Sequence, residues 1–361
     1  MFVREGAHRN ARGEKVRTSG SARVYQTGVR MEAMFGAFVD GEFRPGTVDL
    51  TDADGEVQRE PTTFRDRIDT NPDARFQVEA GRYHLYVSKA CPWAHRTLLV
   101  RALKGLEDVL SVDIVDPYRE ERGWQFTPEK EDCTVDSIFG ASYLHEVYAA
   151  ADPDYTGHVT VPVLWDKEEE TIVNNESREI LRMLDVAFEG NSADLYPEGY
   201  RDEVDRIIDD IYDPINNGVY RAGFAASQTA YDEAVDALFH ALDHWDSVLR
   251  DQRYLAGDRL TEADIAMFTT LIRFDHVYHT HFKCNRQAIH EYDHLWPYLR
   301  DLYTTPGVAE TVDLDHIRDH YYRTHSNVNP NRIVATGPDL DFAAPHDRDA
   351  LAGGPPSALV E

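Results

Sequence analysis

The chain has 361 residues, 42% of them hydrophobic and 28% charged, which is room for two domains with a sizeable core. Its 65 acidic against 37 basic residues give a formal charge of −28, which argues against nucleic acid as a partner, and no apolar run approaches the ~18 residues of a membrane span. Six lysines beside thirty-one arginines on so acidic a chain read as a halophilic solvation strategy, since a Debye length of ~3 Å at 1 M salt screens the self-repulsion.

Residues 1–33 reverse the charge, with seven basic and two acidic side chains in the first thirty, and lack the apolar stretch of a signal peptide; they read as a basic extension without fixed structure. From 34 to 80 the chain is polar and turn-rich ("DGEF", "DADGE", "TNPDA"), a lead-in wrapping the first domain. "YHLYV", 83–87, alternates as a strand does. Pro92 then opens a helix that runs to Gly105, and "LSVDIVD", 110–116, is a second strand, so the unit is βαβ with parallel pairing. An insertion over 117–158 includes a helix near "SIFGASYLHEVYAA". Strands at 159–166 ("VTVPVLWD") and 171–174 ("TIVN") precede a helix over 176–188, in which Ile180, Leu181, Leu184, Ala187 and Phe188 recur at helical spacing. This β-α-β, β-β-α order is thioredoxin-like and occupies 34–190. Turn chemistry at 189–199 ends the domain. The segment 200–325 is helical throughout, with Thr261 and Asp264 forming a T-x-x-D that resembles a capping box. The tail, 326–361, ends in a Pro/Gly-rich stretch expected to lack fixed structure.

Cys91, Cys133 and Cys284 have neither disulfide nor zinc spacing, which points to a reducing, cytoplasmic compartment and to no metal. Cys91 stands where a strand meets a proline-started helix, "SKACPWAHRTL", and a helix N-terminus favours the reactive thiolate. His95 and Arg96 would add positive charge one turn in. The plainer reading, a small buried hydrophobe, is kept for Cys133 and Cys284. Ala94 occupies the second position of a C-x-x-C pair, so a mixed disulfide on Cys91 has to be resolved by an external thiol, and the protein needs a site for one. A cis bond before Pro162 would leave the Val161 backbone groups free to pair with an extended peptide. Ser177 and the helix start behind it suit a carboxylate and Glu176 an ammonium, the two charges of a γ-glutamyl group; Ser177 or Asn175 serving as the helix N-cap is compatible with this.

"CPWAHR", "GWQF", "TVPVLWD", "IVNNES", "INNGVYRAGFA", "VYHTHFKCN" and "HYYRTHSNVNP", in this order between about residues 38 and 340, resemble the glutathionyl-hydroquinone reductases, the xi class of glutathione transferases. The resemblance implies an α/β thioredoxin-like domain followed by an all-α glutathione-transferase domain, assembled as a homodimer. It implies thiol-dependent reduction of S-glutathionyl-hydroquinones through a mixed disulfide on Cys91. Trp124, Val161, Glu176 and Ser177 would hold the thiol, and Tyr220, Tyr278 and Tyr321 would line the aromatic pocket, Tyr220 and Tyr321 with a catalytic role. His158 stands where the family's arginine is expected. That change raises a shorter γ-glutamyl thiol lacking glycine as an alternative to glutathione. Two other readings stand beside this one: an omega-type or monothiol-glutaredoxin-like thiol transferase acting on mixed disulfides, and a non-catalytic thioredoxin-fold binding protein.

Overall fold

The computed structural model describes residues 32–34, 36–49, 51–58, 61–188, 190–191 and 193–359, so the expectation for the basic extension falls almost entirely outside the described residues. The lead-in holds four three-residue strands, β1 (Glu32–Met34), β2 (Ala37–Val39), β3 (Glu42–Arg44) and β4 (Thr47–Asp49). β1 pairs with β4, and β2 with β3 across a turn where Gly41 has φ +76°; a Cβ there would lie 2.1 Å from the Pro153 carbonyl oxygen.

β5 (Tyr83–Val87) is buried at all five positions, as befits a central strand. α1 (Pro92–Leu103) carries the chain to β6 (Ser111–Ile114), which pairs parallel to β5. The helix expected in the insertion is shorter than its apolar pattern, α2 (Leu144–Ala151). The Asp136 carboxylate accepts the N–H groups of Ile138, Phe139 and Ala141, and so diverts the preceding residues into a turn. β7 (Gly157–His158) joins β2. The strand expected from 159 begins only at β8 (Val163–Asp166), since Pro162 has no N–H for a ladder. The Val161–Pro162 bond is cis. β9 (Thr171–Asn174) and α3 (Ser177–Ala187) complete the domain, in a sheet ordered β6-β5-β8-β9 with β8 antiparallel to both neighbours. α1 and α3 pack together, burying Leu99, Val100 and Leu103 of one and Ile180 and Leu184 of the other in the same core as Leu85 and Leu164.

The second domain contains α4 (Arg201–Ile211), α5 (Gly218–Gly223), α6 (Gln228–Leu249), α7 (Glu262–Arg273), α8 (Leu295–Thr304) and α9 (Leu314–Asp319). α7 is buried at every position. At its start the buried Asp264 carboxylate accepts the N–H and hydroxyl of Thr261, the N–H of Leu255 and the hydroxyl of Tyr298, so the T-x-x-D carries more than a helix end. α4, α7 and α9 each run on into one π-helical turn, Tyr212–Asn216, Phe274–Tyr278 and His320–Thr324. Such turns re-aim the side chains that follow.

The expectation that the tail's end lacks fixed structure does not hold for residues up to 359. Phe342 is buried, and the Arg348 guanidinium donates to the carbonyls of Leu249, Gln252 and Arg253. Scattered anchors hold this segment, apolar at Phe342 and Leu340 and polar at Arg348, so its sequence shows no periodicity. Among the described residues no helix is long and apolar enough to cross a membrane.

Candidate active site

β5 ends at Val87 and, four residues on, Cys91 takes the N-cap position of α1 in extended conformation (φ −77°, ψ 121°), with Pro92 next. Its N–H donates to the Ser88 carbonyl and its own carbonyl accepts the His95 N–H. The side chain is half-buried, and Sγ lies 3.6 Å from the Val161 carbonyl oxygen. The sulfur therefore sits between the start of a helix and the loop before β8, on the wall of a cavity of about 230 Å³. Burial pushes the Cys133 thiol up to about 11, and that of fully buried Cys284 further still, which makes both poor nucleophiles.

The positive charge expected from His95 is absent. His95 is fully buried; Nδ1 accepts from the Arg273 guanidinium at 3.1 Å and Nε2–H donates to the Thr311 hydroxyl at 2.8 Å. Burial, with Arg273 alongside, lowers its pKa well below the ordinary range and keeps it neutral. Arg96 donates to Asn216 at 2.8 Å and lies 4.5 Å above the Trp93 ring. The cation behind the cysteine loop is instead Arg273, at the end of α7. Its Nε and terminal nitrogens donate to the carbonyls of Ala90 (2.9 Å), Lys89 (2.8 Å) and Thr269 (2.7 Å).

Trp124, Val161, Glu176 and Ser177 line one side of the cavity. Glu176 itself is the N-cap of α3: its carboxylate accepts the Arg178 N–H at 3.3 Å, and its own N–H donates to Asn174 Oδ1 at 2.7 Å. That leaves Ser177 in the first turn with its buried hydroxyl lacking a hydrogen-bond partner among the described residues, as does Asn175 Oδ1. A buried polar atom left so costs ~1–3 kcal/mol, and an anion bound at the helix start would supply the partner. His158, half-buried in β7, lines the same cavity.

Opposite stand the tyrosines. Tyr220 comes from α5 and Tyr321 from the π turn after α9, and their hydroxyls lie 2.5 Å apart. Tyr278 does not line the cavity as expected. The π turn after α7 buries it completely behind Tyr321, with its hydroxyl 2.9 Å from that of Tyr321 and its ring stacked on Phe282 at 5.6 Å. Burial and the neighbouring phenols push the hydroxyls of Tyr278 and Tyr321 well above the ordinary tyrosine range, so these two remain protonated at neutral pH.

Two cavity residues escape sequence reasoning. Arg119, in the charged run "PYREERGW", is buried with its guanidinium 4.5 Å from the Trp124 ring. Burial pushes it down to about 9, opposed by attraction to Cys91, Tyr220 and Tyr321, so it remains a cation at neutral pH. His320 stacks on Trp124 (5.3 Å, 14°) and donates Nδ1–H to the Pro117 carbonyl at 2.6 Å. The cavity thus brings together a cysteine thiol, a helix start with a buried hydroxyl unpartnered among the described residues, a buried cation and two tyrosine hydroxyls. Among the described residues no group of His, Cys, Asp and Glu is arranged to hold a metal ion.

Family models for the glutathione S-transferase N-terminal domain and C-terminal domain match residues 90–187 and 228–301. The chain is 48% identical over 327 residues to glutathionyl-hydroquinone reductase YqjG of Escherichia coli (strain K12), covering 88% of this chain and 100% of that protein. Its structure superposes on a xi class GST from Natrialba magadii with a TM-score of 0.84 and 66% identity, over 89% of this chain and 99% of the other. The glutathione-bound structure of YqjG gives a TM-score of 0.77 at 49% identity, over 79% and 96%.

Proposed function

Because the chain belongs to the glutathionyl-hydroquinone reductases, the xi class of glutathione transferases, we propose that it reduces S-glutathionyl-hydroquinones, or closely related thiol adducts, to hydroquinones at the expense of a second thiol. The observation that carries this reading is that Cys91 lines one cavity together with Trp124, Val161, Glu176, Ser177, Tyr220 and Tyr321. Cys91 reacts as the thiolate from the N-cap position of α1, where a helix start favours the anion, with the buried Arg119 cation interacting with it. An S–S bond forms between Cys91 and the glutathionyl sulfur as the carbon–sulfur bond breaks. The electron pair passes into the ring, which takes up one proton, and hydroquinone leaves. The thiolate of a second thiol then displaces Cys91 from the mixed disulfide and releases a small disulfide. With alanine at position 94, no thiol within the motif resolves the intermediate.

Trp124, Val161, Glu176 and Ser177 hold the thiol, and the Ser177 hydroxyl gains its partner from the γ-glutamyl carboxylate. Tyr220 is the proton donor to the ring, with Tyr321 and then Tyr278 behind it. Glutathione is the cosubstrate that the relatives support; His158 near the thiol end favours a γ-glutamyl thiol lacking glycine. The acidic surface, the free cysteines and the family membership go with a halophilic, cytoplasmic homodimer. The test is a turnover assay with S-glutathionyl-hydroquinone and glutathione or γ-glutamylcysteine. Equimolar hydroquinone and disulfide are expected from the wild type and none from C91S. Turnover of mixed disulfides alone would move the assignment to a thiol transferase, and C91S at wild-type rate would end it.

A further inference from the structure

We propose that His320 is the general base of this reaction, taking the proton of a ring hydroxyl before the carbon–sulfur bond breaks; the inference rests on the function proposed above. An aryl–sulfur bond does not release an aryl carbanion readily. The easier route protonates the sulfur-bearing carbon while a ring hydroxyl gives up its proton, and the resulting ketone tautomer lets the carbon–sulfur pair flow into the ring and restore aromaticity. That route needs an acid and a base within reach of one ring.

The acid is at hand in the Tyr220–Tyr321–Tyr278 hydroxyls, but phenol hydroxyls are poor bases. Cys91 is spent as the nucleophile and Arg119 is a cation. His320 has the required form. The carbonyl of Pro117 can only accept, so the 2.6 Å contact fixes the proton on Nδ1 and leaves the lone pair on Nε2 of a residue that lines the cavity. Burial and the nearby Arg119 keep the ring neutral, so the Nε2 lone pair is unprotonated at rest. Its position also suits the role, stacked on Trp124 on the thiol side and set edge-on to Tyr321 at 5.0 Å and 84°. Of the other cavity histidines, His325 shares Nδ1 with His281 at 3.3 Å, and His158 stands in β7 at the thiol end.

The steps balance. Nε2 of His320 takes the ring hydroxyl proton and Tyr220 gives one to the sulfur-bearing carbon. Cys91 then bonds the sulfur, the carbon–sulfur pair restores the aromatic ring, and the ring oxygen recovers its proton from His320. The proton lost by Tyr220 returns from the second thiol as it becomes the attacking thiolate. One thioether and one thiol yield one hydroquinone and one disulfide, with no outside oxidant or reductant.

H320N retains an amide N–H for Pro117 but has no nitrogen at the Nε2 position, and H320Q retains the length of the side chain. In both, turnover of S-glutathionyl-hydroquinone should fall by about 10²-fold or more. Exchange with the mixed disulfide of glutathione and 2-mercaptoethanol, which has no ring to protonate, should stay within a few-fold of wild type, and so should the rate of Cys91 alkylation. Thioether turnover near wild type, or a parallel fall in both activities, would overturn the proposal. Wild-type protein gives a check free of variants: a thioether with both ring hydroxyls O-methylated should not be cleaved, and its cleavage at a comparable rate would equally overturn it. If the wild type reduces no hydroquinone thioether at all, it is the function proposed above that fails.

Discussion

Ser177 carries the candidate thiol site in a single side chain. Its hydroxyl is buried at the start of α3 without a partner among the described residues, while Glu176 next to it caps the helix. Removing it should therefore act in opposite directions. S177A should raise the KM for the thiol about tenfold, the loss of roughly one charge-assisted hydrogen bond, and leave kcat nearly unchanged. Thermal unfolding without thiol should show the same variant as stable as wild type or more so; a lower KM, or a large loss of stability, would mean the hydroxyl is structural. The tyrosines grade similarly. Y321F breaks the middle of the hydroxyl chain and should cost kcat ~10²-fold, whereas Y278F removes only the far donor and should cost less; steady-state rates with the hydroquinone thioether decide the order. The motifs "CPW", "TVPV" and "NNES" made the side of the cavity lined by Cys91, Val161 and Ser177 legible in the sequence, because local backbone features place these residues. Arg119, His320 and Arg273 were not legible, since each contacts groups brought near only by the tertiary fold: Arg273 reaches Ala90 and Lys89 from across 183 and 184 residues. Tyr278 was placed one layer too close to the cavity, for the π turn that buries it has no counterpart in hydrophobic spacing.

At the scale of elements, the site depends on how the helical domain is docked against the loop before α1. Arg273 of α7 ties that loop with two hydrogen bonds to backbone carbonyls, and Phe282 supports the tyrosines from below, stacked on Tyr278. Gly223, the last residue of α5, leaves no room for anything larger: a Cβ there would lie 2.2 Å from the Phe282 ring. G223A should accordingly destabilise the protein by about 1–3 kcal/mol, read from urea unfolding, and reduce thioether turnover more than Cys91 alkylation, because the displaced ring belongs to the aromatic half. The sheet, α1, α3 and the helical run all followed from period and turn chemistry. The departures, a shortened α2 and a packed tail, both arise where scattered anchors, Asp136 in the first and Phe342 with Arg348 in the second, override or replace a periodic apolar face.

For the whole molecule the governing quantity is charge. A formal −28 makes the folded state self-repelling, so the unfolding midpoint should climb as salt is raised from 0.1 M towards 2 M, with most of the gain where the Debye length shrinks from ~10 Å to a few Å; a midpoint indifferent to salt would remove the halophilic reading. Ion pairs nonetheless tie the domains, Arg178 to Asp205 and Asp209 and Arg182 to Asp205 and Glu262. Within the first domain the Arg65 guanidinium, with Asn174 and Arg67, holds the Glu179 carboxyl down at about 2. A carboxyl depressed on folding binds fewer protons than in the unfolded chain, so its contribution is complete above about pH 4.5 and is lost as pH falls towards 2. E179Q should thus be less stable than wild type at pH 6 and converge with it near pH 2, in paired unfolding curves. The most direct measurement of the chemistry is the intact mass of the protein after one equivalent of S-glutathionyl-hydroquinone is added with no other thiol present. A single glutathionyl group on Cys91, matched by one equivalent of free hydroquinone and removed on adding glutathione, is the expected result; hydroquinone released from a protein of unchanged mass would contradict it.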